Sequence, residues 1–301
     1  MPTRTRVDSI NSTRKLPLRV VSQTRVLILT SLAMIAFAGN SLLCRMALRH
    51  TAIDPATFTS IRVLAGAIAL GIIVSMRSDS RMQRGSWVSA LALFTYAAAF
   101  SFAYVHLSAG MGALLLFGAV QATMILFGLW KGERLNGWQG VGLAAALGGL
   151  VALVLPGLSA PLPGSAVLMV CAGVAWGVYS LRGRGTGDPL VTTAGNFLRA
   201  VPFAVATSLL LFTSMRADLH GVIYAIASGA LTSGVGYAIW YSALRGLTAT
   251  SAATVQLSVP VIAAVGGVVL LGESITLRLL VASVAILGGI ALVITRQKPI
   301  G

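Results

Sequence analysis

Ten stretches of this chain are apolar and long enough to cross a membrane, and nothing else in the sequence constrains the fold as strongly. A hydrocarbon core of about 30 Å takes about 20 apolar residues as a helix. Segments of that kind fall at about 26–48, 55–76, 86–107, 109–130, 137–155, 164–182, 189–213, 220–244, 248–271 and 276–295. Polar, turn-rich breaks such as "HTAIDP", "RSDSRMQRGS", "PGLSAPLPG", "RGRGTGDP" and "SMRADLHG" separate most of them. The breaks near Ser108 and Arg245 are shallower, because the apolar character barely falls there. A membrane leaves its spanning backbone no water to bond, so runs of this length must be helices. The predicted class is an all-α integral membrane protein with ten transmembrane helices.

The charges agree. Only 10% of residues are charged, against about 25% in soluble domains. The net charge of +15 would suit nucleic acid, but the basic residues sit in short clusters between apolar runs, the pattern of membrane loops. With the N-terminus inside, one set of segments holds Arg4, Arg6, Arg14, Lys15, Arg19, Arg25, Arg77, Arg81, Arg84, Lys131, Arg134, Arg182, Arg184, Arg245, Arg296 and Lys298. The other keeps Arg49, Arg216 and Arg278. That bias predicts both termini in the cytoplasm. Residues 1–25 read as a basic cytoplasmic tail rather than a transit peptide, and the first apolar run reads as a membrane span rather than a secretory signal.

The chain repeats itself at an offset of 140 residues. "KGERLNGWQGVGLAAALGGL" from Lys131 is answered by "LGESITLRLLVASVAILGGI" from Leu271. Gly132 and Glu133 fall on Gly272 and Glu273, and Leu147, Gly148 and Gly149 on Leu287, Gly288 and Gly289. "DPATFTSIR" and "DPLVTTAGNFLR" each open a second helix with Asp-Pro and run to an arginine, Arg62 or Arg199. The expected organisation is a five-helix repeat over 26–156, a second over 164–295 and a C-terminal cytoplasmic tail over 296–301. Five is odd, so the second copy enters the membrane from the opposite side. Such inverted repeats build many secondary transporters, with a site between the halves that opens to either side in turn.

"DPATFTSIR", "GERL", "GES", "GGL" and "GGI" in this five-plus-five layout resemble EamA-type members of the drug/metabolite transporter superfamily. The single basic tail and "AWGVYSLRGR" look most like the bacterial aromatic amino-acid exporter branch (YddG-like). The fourth span carries Val120-Gln121 where many relatives in that branch have a Trp-Pro-like pair, whereas the ninth keeps Pro260. The resemblance implies a central cavity lined by spans 1, 3, 4, 6, 8 and 9, with spans 2 and 7 peripheral.

Polar groups inside a bilayer are costly and mark candidate sites. Asn40, Gln121 and Gln256 are amides able to meet both an ammonium and a carboxylate, or to join helices. Tyr96 and Phe100 stand one turn apart, as do Tyr237 and Tyr241. Trp176 and Tyr179 share a face, and Trp240 repeats the position of Phe100. These ten residues are the expected substrate-binding set. Glu133 and Glu273 read as helix-end and loop residues. A guanidinium at Arg62 or Arg199 could grip a substrate carboxylate, but both read rather as structural cations that snorkel or bind carbonyls at the ends of neighbouring helices, and Arg45 as a snorkelling residue. Cys44 and Cys171 read as small buried hydrophobes.

The seven acids all lie in the tail or near loops, so none is placed mid-membrane to carry a proton. No phosphate-cradling, zincin or serine-hydrolase motif occurs, and the three histidines are dispersed. The expectation is a transporter rather than an enzyme, with no cofactor and no metal. It would export aromatic and other neutral amino acids and related metabolites across a bacterial inner membrane. Its partners would be those small molecules and membrane lipid, not nucleic acid. The alternatives are a multidrug or cationic-drug exporter using the same pocket, and a non-transporting receptor or scaffold.

Overall fold

The structure is a computed structural model that describes residues 23–77, 85–132, 134–155, 161–183, 187–247 and 249–295. Its elements are α1 (Gln23–His50), α2 (Pro55–Ser75), α3 (Trp87–Tyr104), α4 (Ala109–Trp130), α5 (Gly137–Val154), α6 (Pro163–Arg182), α7 (Pro189–Leu210), α8 (Leu219–Leu244), α9 and α10 (Leu277–Thr295). α9 comes in two pieces, Ala249–Gln256 and Ser258–Leu271. Among the described residues nine of these helices are apolar enough to cross a membrane by length and composition. The tenth, α7, has the length but carries Thr192, Thr193, Asn196 and Arg199. The seventh span is shorter than expected, because α7 stops at Leu210 and a 3₁₀ turn follows at Phe212–Ser214.

Helix ends follow local chemistry. Asp54 and Asp188 cap α2 and α7, each accepting backbone N–H bonds ahead of a first-turn proline. Ser108 caps α4, so the shallow break there is a true helix boundary. α4 and α9 are followed by Gly132 (φ 96°) and Gly272 (φ 62°), in the left-handed region that favours glycine. This accounts for the first half of the repeated Gly-Glu motif. α9 breaks after Gln256 because Pro260, four residues on, has no N–H and crowds the Gln256 carbonyl. α8 winds as a π-helix over Ala227–Val235.

The packing between halves comes in matched pairs. α5 lies on α10 and α2 on α7; α6 packs on α3 and α4 as α1 packs on α8 and α9. The packing of α7 on α3 is matched by that of α2 on α8. This is a ten-helix bundle of two inverted repeats about a pseudo-two-fold axis. At the α5–α10 seam a Cβ on Gly142 would stand 2.6 Å from the Gly289 carbonyl oxygen, and one on Gly149 2.8 Å from Ala285 Cβ. The repeated Leu-Gly-Gly is therefore a close-approach device between the two copies. Leu64, Ile68 and Ile72, one turn apart on α2, are about half exposed, an apolar stripe suited to lipid.

Candidate functional site

A column of aromatic rings in contact, some stacked and some tilted or edge-on, runs through the bundle between the halves. Tyr241 meets Tyr237 at 6.4 Å, and Tyr237 stacks on Trp176 at 5.5 Å. Trp176 lies 5.2 Å from Tyr179 and 4.9 Å from Tyr96. The column continues through Phe100 to Tyr104, at 5.4 and 4.6 Å. α3, α6 and α8 supply the rings because each presents aromatics three or four residues apart on its inner face.

Two polar clusters flank the Trp176–Tyr237 pair. In one, Asn40 Nδ2 and Arg62 Nη2 donate to the Tyr96 hydroxyl oxygen at 3.2 and 2.9 Å. Ser228 Oγ, from the π-helical stretch, donates to Asn40 Oδ1 at 2.7 Å. In the other, Tyr179 donates to Thr193 Oγ1 and receives a bond from Asn196 Nδ2, both at 3.3 Å. Thr193 Oγ1 also bonds the Tyr241 hydroxyl at 3.0 Å.

The two ends of the column differ. Beside Tyr241 a cavity of about 220 Å³ is lined by Arg77, Asp188, Pro189, Leu190, Ser242, Leu244 and Arg245. Arg77 and Asp188 pair there at 3.2 Å with nearly 40% of each side chain exposed. At the other end the chain is sealed. Arg45 Nε pairs with Glu273 Oε1 at 3.1 Å, and its Nη1 donates to the Tyr104 and Val105 carbonyls. The Ala109 N–H donates to Glu273 Oε2 at 2.8 Å, and the Tyr104 hydroxyl to the Ala109 carbonyl.

A corner outside the spans ties the halves together near that sealed end. Asp54 Oδ2 accepts from the Arg216 N–H at 2.9 Å, and Asp218 Oδ1 from the Ala52 N–H at 3.0 Å. Burial pushes the Asp54 carboxyl upward, but hydrogen bonds from Thr57, Arg216 and Ala56 together hold it below its ordinary value.

The structure brings together Asn40, Tyr96, Phe100, Trp176, Tyr179, Tyr237 and Tyr241. Trp240 is buried one layer out, edge-on to Phe37 at 5.9 Å, and Phe37 in turn touches Tyr237. Gln121 is buried on α4, and Gln256 is half-buried at the break in α9. Neither belongs to the two clusters. Glu133 lies outside the described residues.

Three expectations are corrected. Arg45 does not snorkel; it is buried, because Glu273 and two carbonyls take its charge inside the protein. α2 and α7 are not peripheral: they deliver Arg62, Thr193 and Asn196 to the column. Cys44 is buried as expected, but Cys171 is exposed, on the outward face of α6.

Thr193, Asn196 and Ser228 were missed as site residues, and the sequence ranks a structural role for Arg62 ahead of a carboxylate grip. A register signal was present, since Arg62 and Asn196 each stand eight residues after a capping aspartate, Asp54 and Asp188. Counted that way Arg62 matches Asn196, not Arg199. Arg199 instead bonds its own helix at the Gly195 carbonyl and lies over the exposed Trp87 ring.

A duplicated membrane bundle, with a polar and aromatic column between its halves and different closures at its ends, defines a transporter-type membrane protein. The sequence profile of the EamA-like transporter family matches the chain twice, over residues 24–155 and 164–295. The chain belongs to the EamA-like transporter family. It is 58% identical over 271 residues to an uncharacterized protein of Pseudomonas aeruginosa, covering 90% of this chain and 94% of that one. It is 25% identical to an uncharacterized transporter of Archaeoglobus fulgidus, over 81% of this chain and 90% of the relative. It is also 29% identical to a Streptantibioticus cattleyicolor protein named "Probable terminal-alkyne amino-acid exporter", over 71% and 74%. A solved crystal structure at 18% identity shares the fold, with a TM-score of 0.64 over 90% of this chain and 98% of that one.

Proposed function

We propose that this protein exports amino acids, aromatic and other neutral ones first, from the cytoplasm across a bacterial inner membrane by alternating access. The observation that carries the reading is the aromatic column with an amide and hydroxyl cluster on each side of Trp176–Tyr237. Flat ring faces suit a substrate side chain, and the clusters offer donors and acceptors for its backbone groups. The name of the Streptantibioticus relative favours the same substrate class, as does the resemblance to the aromatic amino-acid exporter branch. The basic-loop bias supports a cytoplasmic side for both termini and for the cavity beside Tyr241.

Two other readings fare worse. A cationic-drug exporter needs an anionic or neutral pocket, whereas the charge on this column is Arg62. A rigid scaffold gives no reason for one closed end and one cavity on the same column. The test is counterflow of labelled amino acids in proteoliposomes, with Trp176→Ala as the site variant. Transport of phenylalanine or tryptophan that falls at least tenfold in a folded variant is the expected result. No counterflow with any amino acid overturns the reading.

A further inference from the structure

We infer that Arg62 is the substrate's carboxylate receptor, so that this transporter selects ligands by a carboxylate and not by an amine. The inference rests on the export reading above and sharpens its substrate class.

Arg62 is only 2% exposed and lies mid-helix on α2. Its Nη2 is taken by the Tyr96 hydroxyl, and its guanidinium carbon sits 5.2 and 4.8 Å from the Tyr96 and Phe100 ring centres. These contacts fix the plane of the fork. Nη1 has no hydrogen-bond partner among the described residues. A buried cation is normally paired, because an unpaired one carries a desolvation cost that aromatic faces only partly offset.

Arg45 shows how this protein buries an arginine for structural ends. Its charge meets Glu273, and two carbonyls take Nη1. Arg62 has no such acid. Of the described acids, Asp188 and Glu273 pair with Arg77 and Arg45, and Asp54 and Asp218 cap helices.

The second copy of the repeat supplies a control. Asn196, at the matching position of α7, also donates to a tyrosine hydroxyl, and it does so without a charge. The scaffold's need at this place is met by a neutral amide. The positive charge in the first copy is therefore left over for a ligand, and an arginine fork with a free N–H is the partner a carboxylate prefers. The carboxylates at the two ends of the column, Asp188 and Glu273, are already paired with Arg77 and Arg45, which leaves an ammonium beside Arg62 ring faces and the Asn40 and hydroxyl oxygens.

The test uses the full chain in proteoliposomes and four compounds sharing one ring: phenylalanine, 3-phenylpropionate (no amine), phenethylamine and phenylalaninamide (no carboxylate). Competition against labelled phenylalanine counterflow is expected from phenylpropionate within about tenfold of phenylalanine itself. The amine and the amide are expected to be weaker by more than tenfold. The same series is read as thermal shift of the purified protein, which needs no transport. Phenylpropionate should stabilise the wild type but not Arg62→Gln, with Arg62→Lys between them. Phenethylamine matching phenylpropionate, or phenylpropionate giving neither competition nor stabilisation, overturns the inference. Absent counterflow together with carboxylate-dependent stabilisation would remove the export reading and leave the receptor standing.

Discussion

Gly229 is the residue whose enlargement should do most damage for least chemical change. It sits in the π-helical stretch of α8, against the backbone of α2 at Arg62. A Cβ there would stand 2.9 Å from both the Arg62 carbonyl carbon and Ala65 Cβ, and closer still to the Arg62 oxygen. Ordinary contact begins at 3.4 Å, so the helices must part by at least about 0.5 Å at the carbons and about 1 Å at the oxygen. Backbone cannot rotate away as a side chain can, which puts the overpacking cost near the upper end of about 1–3 kcal/mol. Alanine returns up to about 1 kcal/mol of helix propensity, leaving a net loss of about 2 kcal/mol. A shift of that size at the Arg62 backbone would also disturb the 2.9 Å Arg62–Tyr96 bond. Gly71, on α2, has nothing within 4 Å of its added Cβ and serves as the control. Thermal unfolding in detergent should show Gly229→Ala down by about 5 °C and Gly71→Ala level or slightly up. Counterflow should fall at least tenfold in the first and not in the second. Equal stability of the two variants would refute the contact argument.

Further outcomes are expected. Glu273→Gln leaves the buried Arg45 half-paired and should cost about 3–5 kcal/mol, with cysteine probes near residues 105–108 becoming more accessible; unchanged stability and access would show that the pair seals nothing. Asp54 is held below its ordinary value, so its contribution is full above about pH 4, where the unfolded carboxyl is ionised, and is lost as pH falls through the lower native value. Asp54→Asn should flatten that acid limb of a stability-against-pH curve, and an unaltered limb counts against the Asp54–Arg216 corner. Since the described acids all lie at helix ends, a pH gradient across proteoliposomes with equal neutral substrate on both sides should drive no accumulation. Protonophore-sensitive accumulation would reveal coupling groups outside that set.

The ten spans and their caps were legible because apolar length, Asp-Pro and Gly-Glu are local signals. The aromatic column was nearly so: Tyr96, Phe100, Trp176, Tyr179, Tyr237 and Tyr241 converge because one-turn spacing puts each pair on one face, and rings in mid-span need neighbours. Arg62 and Arg45 were not legible, since a long guanidinium stem reaches outward or inward with the same sequence. What decides is the partner, and Glu273 is 228 residues from Arg45. Gln121 and Gln256 failed as members of the clusters for a related reason. An amide in an apolar run says that a partner is needed and not which face the helix turns.

Three ion pairs among the described residues cross between the repeats, and Arg49–Glu273, at 3.9 Å with Arg49 about half exposed, is the loosest of them. Arg45–Glu273 and Arg77–Asp188 each join the first copy to the second, one at each end of the column. Inverted repeats would make the two ends equivalent, yet the pairs are not. The first has side chains under 10% exposed and three further hydrogen bonds around it; the second is screened by solvent. Exposed pairs contribute about 0–1 kcal/mol, whereas breaking a buried one costs several times more. The pair at the cavity end is therefore the less costly of the two to break. A carboxylate on Arg62, as proposed, would neutralise the charge that stands between the two ends. On the proposed export reading, binding energy at the column would offset the cost of parting Arg45 from Glu273, as alternating access requires of a substrate.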